Sequence, residues 1–193
     1  MTGLILVPRE LPASIQEQRA RLPPAAECPD PVEGYWKAHY FHERVSQWYV
    51  RTLEIHRKGE VLEGKIVAHY WDGGPKDEKP PPCRPGLQRE QIVNMPSVGT
   101  FLDGNISFGG TSWSAEPPIC SRGSIGYNPD NFTGKIDPKL HEFVSVNNDG
   151  GIAVNEPNVF RRIRCLDAPP PPIGVKVNPP PFTPPRRGFR CGQ

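Results

Sequence analysis

Proline decides where this chain can build regular structure. Each proline lacks the backbone N–H donor and fixes φ near about −65°, so runs of it are excluded from helix interiors and central strands. Eighteen of the 26 prolines crowd into PPAAECPDP (residues 23–31), PKDEKPPPCRPG (75–86) and DAPPPPIGVKVNPPPFTPPRRGFRCGQ (167–193). The default state of such segments is an extended polyproline II rod. The segments able to bury a core therefore lie between Val32 and Cys165. The expected organisation is an N-terminal arm over 1–31 with a short helix, a domain over 32–165, and an extended Pro-rich tail over 166–193. Hydrophobic residues make up 36% of the chain, below the globular norm, so the ordered core is smaller than the chain.

In the arm, PASIQEQRARL reads as a short helix with Ser14 as N-cap and Glu17 at the capping-box position, stopped by PPAAECPDP. From Gly34 onward the apolar period becomes two, the signature of strands. YVRTLEIH and EVLEGKIVAHYW, joined through RKGE, read as a hairpin with Gly59 in its turn. Leu62, Gly64, Ile66, Ala68 and Tyr70 share one face of the second segment. GTFLDGNISF places Leu102, Gly104, Ile106 and Phe108 on one side, and FTGKID does the same for Phe132, Gly134 and Ile136. EFVSVNNDGGIAVN reads as two strands around Asn148-Asp149-Gly150-Gly151, and NVFRRIRC as the last strand. Gly64, Gly104 and Gly134 are expected to face inward, where missing side chains let strands curve. The fold predicted is all-β, an antiparallel up-and-down barrel, with a β-sandwich as the alternative.

Gly34-Tyr35-Trp36 opens the first strand, and Arg161, Arg162 and Arg164 stand on the last. This arrangement resembles the calycin or lipocalin superfamily, whose barrels open on a Gly-x-Trp and close with an Arg stacked across that Trp. Leu62-Glu63-Gly64-Lys65-Ile66 and Asp103-Gly104-Asn105-Ile106-Ser107-Phe108 are similar to minimal barrels of that type. The resemblance implies an eight-stranded barrel over roughly residues 32–165. For a carrier of small apolar ligands it implies a cavity near Trp36, Tyr70 and Phe108. The superfamily's Thr-Asp-Tyr motif and C-terminal helix are missing.

Few residues carry recognisable chemistry. His39 and His42 would share a face on a helix but point to opposite faces on a strand, so no metal site is expected there. His56, His69 and His141 read as structural, and no phosphate-binding loop, G-x-S-x-G elbow or H-E-x-x-H is present. Glu33, Glu43, Asp103 and Asp130 are isolated acids, with Asp130 in NPDN read as a turn former. Asn105-Ile106-Ser107 and Asn131-Phe132-Thr133 match the N-glycosylation sequon. Trp36, Trp48, Tyr49, Tyr70, Trp71 and Trp113 either line a cavity or build a core and an interface belt.

The five cysteines include no C-x-x-C, which argues against zinc. Cys28 and Cys165 flank the domain and Cys83 and Cys120 flank its middle; two bridges in an oxidising compartment and buried reduced thiols are both open readings. No cofactor is expected. No apolar run approaches a membrane span and the N-terminus lacks a basic n-region, so a soluble protein of undetermined compartment is expected. A net charge of +2 argues against nucleic acid as a partner. The excess is local to the tail, where Lys176, Arg186, Arg187 and Arg190 face only Asp167. There Pro181-Phe182-Thr183-Pro184-Pro185-Arg186 matches the P-x-x-P-x-R pattern of polyproline II ligands.

The expected function is that of a non-catalytic accessory subunit of a multi-protein assembly, docking by its barrel and its extended Pro-rich arms. Its predicted partner contacts are Pro181, Phe182, Pro184, Arg186, Phe189 and Arg190. Other protein subunits are the expected partners, and peripheral membrane association through such a complex stays open. The alternatives are a lipocalin-like carrier and a pocket enzyme of cyclase or isomerase type.

Overall fold

Strands form where side chains alternate, and they turn where glycine permits. The computed structural model describes residues 13–121, 126–150 and 156–166. Among these residues nine strands follow one α-helix: α1 (Ala13–Arg21), β1 (Gly34–His42), β2 (Gln47–Lys58), β3 (Val61–Asp72), β4 (Glu90–Leu102), β5 (Asn105–Gly110), β6 (Ser114–Ala115), β7 (Asn131–Asp137), β8 (Glu142–Asn147) and β9 (Pro157–Arg164). Leaving out the two-residue β6, each strand pairs antiparallel with the next, and β9 returns to β1. The result is a closed eight-stranded up-and-down barrel. β6 is an addition, set against Val93 and Asn94 of β4.

The β2–β3 hairpin follows the expected register, with Gly59 at φ 68° in its turn. Gly64 stands on the inward row because no side chain fits: a Cβ there would lie 1.9 Å from the Glu54 carbonyl oxygen. The β4–β5 hairpin corrects the expectation. Leu102 pairs with Asn105 across the two-residue turn Asp103-Gly104, so Gly104 is a turn residue and Leu102 points outward, 53% exposed. Phe101 takes the inward place. The strand partner of β8 is β9, with Val146 opposite Pro157, whereas Gly151–Asn155 lie outside the described residues.

The arm is corrected as well. α1 begins by Ala13, so Ser14 sits within its first turn and not ahead of it. Ile15 of α1 and Leu22 just after it pack on Val159 of β9, and the Arg19 side chain meets Glu142 at 2.7 Å. Gln18 substitutes for a strand neighbour: its amide donates to the Pro157 carbonyl (2.9 Å) and accepts from the Val159 N–H (2.8 Å). Ala26 N–H then donates to the Arg162 carbonyl (2.8 Å). Residues 13–31, expected to reach away, instead lie along the protein's own barrel, because β9 leaves backbone groups on that side that need partners. The tail 167–193 lies outside the described residues.

Candidate functional site

The inward rows divide the barrel into two unlike ends. At one end the row is apolar: Trp36, Leu53, Ile55, Leu62, Phe101, Ile106 and Phe143 are buried in one cluster, closed by Val32 from the segment before β1. Gly34 allows this closure, since at φ 133° a Cβ would lie 2.6 Å from the Arg164 carbonyl oxygen. The Trp36 Nε1–H donates to the Val32 carbonyl at 2.8 Å. Arg162 lies over the Trp36 ring, its Cζ 5.4 Å from the ring centre. Its guanidinium donates to the carbonyls of Ala26 (3.2 Å), Asp30 (2.5 Å) and Glu33 (3.4 Å) and contacts His141 Nδ1 (3.0 Å). Burial holds this guanidinium below its ordinary pKa, because its partners are mainly dipoles.

The segment that closes this end is itself fixed. Asp30 Oδ1 accepts from the N–H of Val32 (2.7 Å) and of Glu33 (2.8 Å), and Oδ2 lies 3.3 Å from Arg57. Burial pushes its carboxyl up, but those two N–H groups and Arg57 outweigh burial and hold it below the usual value. Cys28 and Cys165 are bridged at 2.01 Å beside it, and Cys83 and Cys120 at 2.10 Å over the loop before β4.

The other end is aromatic and charged. Tyr40, Tyr49, Tyr70 and Tyr127 form a stacked file, with successive ring centres 5.3, 5.7 and 6.1 Å apart. Beside it the Arg51 guanidinium meets the Asp130 carboxylate through two bonds of 2.9 Å, and both side chains are almost wholly buried. Arg51 also donates to the Tyr40 hydroxyl, Tyr127 O–H donates to Asp130 (2.9 Å), and the Asn147 amide donates to Asp130 (3.1 Å). Burial alone would push the Arg51 guanidinium down, but the Asp130 carboxylate outweighs it and raises it. Burial, reinforced by Asp130, pushes the Tyr49 and Tyr127 phenols up. These tyrosines therefore stay protonated and serve as donors, not as bases.

Trp36, Tyr70 and Phe108 are brought into one core, where they touch other side chains of the chain. Asp130, read from sequence as a turn former, is the buried partner of Arg51, 79 residues away. Sequence reasoning missed Arg51, Tyr40, Tyr127 and Asn147. One signal was available, since Arg51 occupies the same alternate row as Tyr49, Leu53 and Ile55. His42 points inward and His39 outward, where its ring lies 5.2 Å from that of Trp48. No cluster of metal-ligating side chains occurs among the described residues. Likewise, no described helix is long and apolar enough to cross a membrane. Asn105 and Asn131 are both exposed, with Ile106 and Phe132 inward. The predicted contacts Pro181, Phe182, Pro184, Arg186, Phe189 and Arg190 lie outside the described residues.

Comparison with known protein families, curated proteins and solved structures returned no match.

Proposed function

We propose that this chain is a non-catalytic accessory subunit of a multi-protein assembly, built on a calycin-like barrel and joined to its neighbours by the outer surface and the Pro-rich tail. The observation that carries this reading is how the barrel interior is filled. Trp36, Phe108, Phe132, Phe143 and Phe160 are fully or almost fully buried against one another and their neighbours, and the charged end is neutralised by its own Asp130. Each such aromatic contributes about 2 kcal/mol by leaving water, so the interior stabilises itself without a guest. A carrier would have to displace these side chains, and a pocket enzyme would need a free acid, base or nucleophile that the protonated tyrosines and paired Arg51 do not offer. With residues 13–31 committed to the barrel, this reading assigns the tail to partners. Its P-x-x-P-x-R stretch loses less freedom on docking than a flexible segment would.

The test is deletion of residues 168–193. The truncated chain is expected to keep its β-rich circular dichroism and lose co-purification with its complex; co-purification at the level of the full chain overturns the proposal.

A further inference from the structure

Two features of the outer barrel face have no part in the assembly reading: the sequons Asn105-Ile106-Ser107 and Asn131-Phe132-Thr133, and the exposed side chains of Val98 and Leu102. The strand register brings them together. Asn105 of β5 stands directly opposite Leu102 of β4, which is 53% exposed. Ser107 stands opposite Thr133, so the hydroxyl residues of the two sequons are neighbours on adjacent strands. Further along, Asn131 of β7, Gly109 of β5 and Val98 of β4 lie in line. The Asn131 side chain leans over the glycine, where a Cβ would lie 3.1 Å from its Cγ. Val98, 52% exposed, is about 10 Å from Asn131 at ordinary strand spacing, with no side chain between them. An open hollow of about 560 Å³ runs along this face, lined in part by Leu102, Asn105, Ser107 and Thr133.

We propose that Asn105 and Asn131 carry N-linked oligosaccharides whose first sugars cover Leu102 and Val98. The proposal stands apart from the assembly reading, to which it leaves the outer surface of the other strands. Direction is the first requirement, since an asparagine facing the core could hold no sugar. Both point to water, while Ile106 and Phe132 between the sequon residues fill the interior. Compartment is the second: the bridges Cys28–Cys165 and Cys83–Cys120 belong to an oxidising compartment, the setting in which N-linked sugars are added. In the transfer, the asparagine Nδ2 attacks the anomeric carbon of an oligosaccharide carried on a polyprenyl diphosphate. A C–N bond forms, the bond from that carbon to the diphosphate oxygen breaks, one amide proton goes to a base of the transferase, and the lipid diphosphate leaves. Asn105 Nδ2 donates to the Asp103 carbonyl at 3.3 Å, which uses one of its two protons and leaves the other to be replaced. β5 and β7 are paired on both sides in the folded chain, so the sequons meet the transferase before the barrel closes. What the fold supplies is room for the product.

Mass spectrometry of the chain isolated from the cells that make it tests this without any variant. The mass is expected to exceed that of the polypeptide by two oligosaccharides, carried on the peptides that hold Asn105 and Asn131. Asn105→Gln and Asn131→Gln should each remove one, and Ser107→Ala and Thr133→Ala should do the same with the asparagine intact. An unmodified asparagine in the native chain overturns that site, as does a sugar that survives loss of its hydroxyl residue. Enzymatic removal of the sugars should leave circular dichroism unchanged and lengthen retention on an apolar column, with a smaller gain in Val98→Ser/Leu102→Ser. A gain of the same size in that variant overturns the covering of Val98 and Leu102 and leaves the attachment sites standing. Bare asparagines in a chain that still leaves its complex when 168–193 are deleted overturn this proposal alone.

Discussion

Each end of the barrel buries an arginine, and the two are neutralised by different means. Arg162 donates hydrogen bonds to carbonyls of residues 26–33 and lies on Trp36, so its charge meets dipoles and an aromatic face. Arg51 meets a full carboxylate, with tyrosines around the pair. The guanidinium pKa moves in opposite directions accordingly, down for Arg162 and up for Arg51. The lesson concerns what each residue fastens. Dipoles are spread along a segment, so Arg162 ties a stretch of chain to the barrel mouth. A carboxylate is a point, so Arg51 pins one place, the turn that leads into β7.

Removing the point charge gives the largest expected effect. Asp130→Asn leaves Arg51 buried and uncompensated, at a cost of about 3–5 kcal/mol, and lowers Tm by on the order of 10 °C in thermal melts. Replacing both partners, Arg51→Met with Asp130→Leu, should recover most of that loss. A single-variant loss below about 1 kcal/mol would mean that Arg51 finds water or another anion, and the contrast between the ends would collapse. Next comes Arg162→Met, which keeps apolar cover on Trp36 but orphans three carbonyls. It should cost about 2 kcal/mol in urea denaturation and speed amide exchange at Ala26, while leaving Asn147 and Tyr127 undisturbed.

The smallest effect is on the acid limb. Because Asp30 titrates lower in the folded chain than the usual value of 3.8, the unfolded chain binds its proton first as pH falls. Its contribution to stability is therefore complete above the unfolded value and is lost as pH drops through the folded one. Denaturant midpoints followed from pH 5 down to about pH 2 should fall less steeply for Asp30→Asn than for the unmodified chain. Equal slopes would remove Asp30 from the description of the apolar end.

The barrel was legible in the sequence wherever one face was buried and the other wet. β2, β3, β7 and β9 all announce themselves through a period of two, and the Gly34-Tyr35-Trp36 opening pointed to the end that Arg162 closes. β4 was read only from Gly99 on; its first half, Glu90–Val98, holds Pro96, which cannot donate to a ladder. In the folded chain the Pro96 carbonyl accepts from Thr111 N–H (2.8 Å). Its imide nitrogen faces the same side, past the last pair of the β4–β5 ladder, where no bond is lost. Asp130 was unreadable for another reason. It stands in an aperiodic turn before β7, unlike Arg51 in its alternating row, and the two become neighbours only once the strands between them have closed. The docking of α1 was hidden likewise, since it depends on Gln18 meeting a strand edge that exists only in the finished ring.

The bridge between Cys28 and Cys165 spans 137 positions of sequence and joins the two flanks of the domain beside the Trp36 end. Tension applied between those flanks would pass through the sulfur atoms and bypass the β1–β9 seam. A chain pulled between its N-terminal arm and its tail would therefore keep its barrel unstretched for as long as that covalent link stays oxidised.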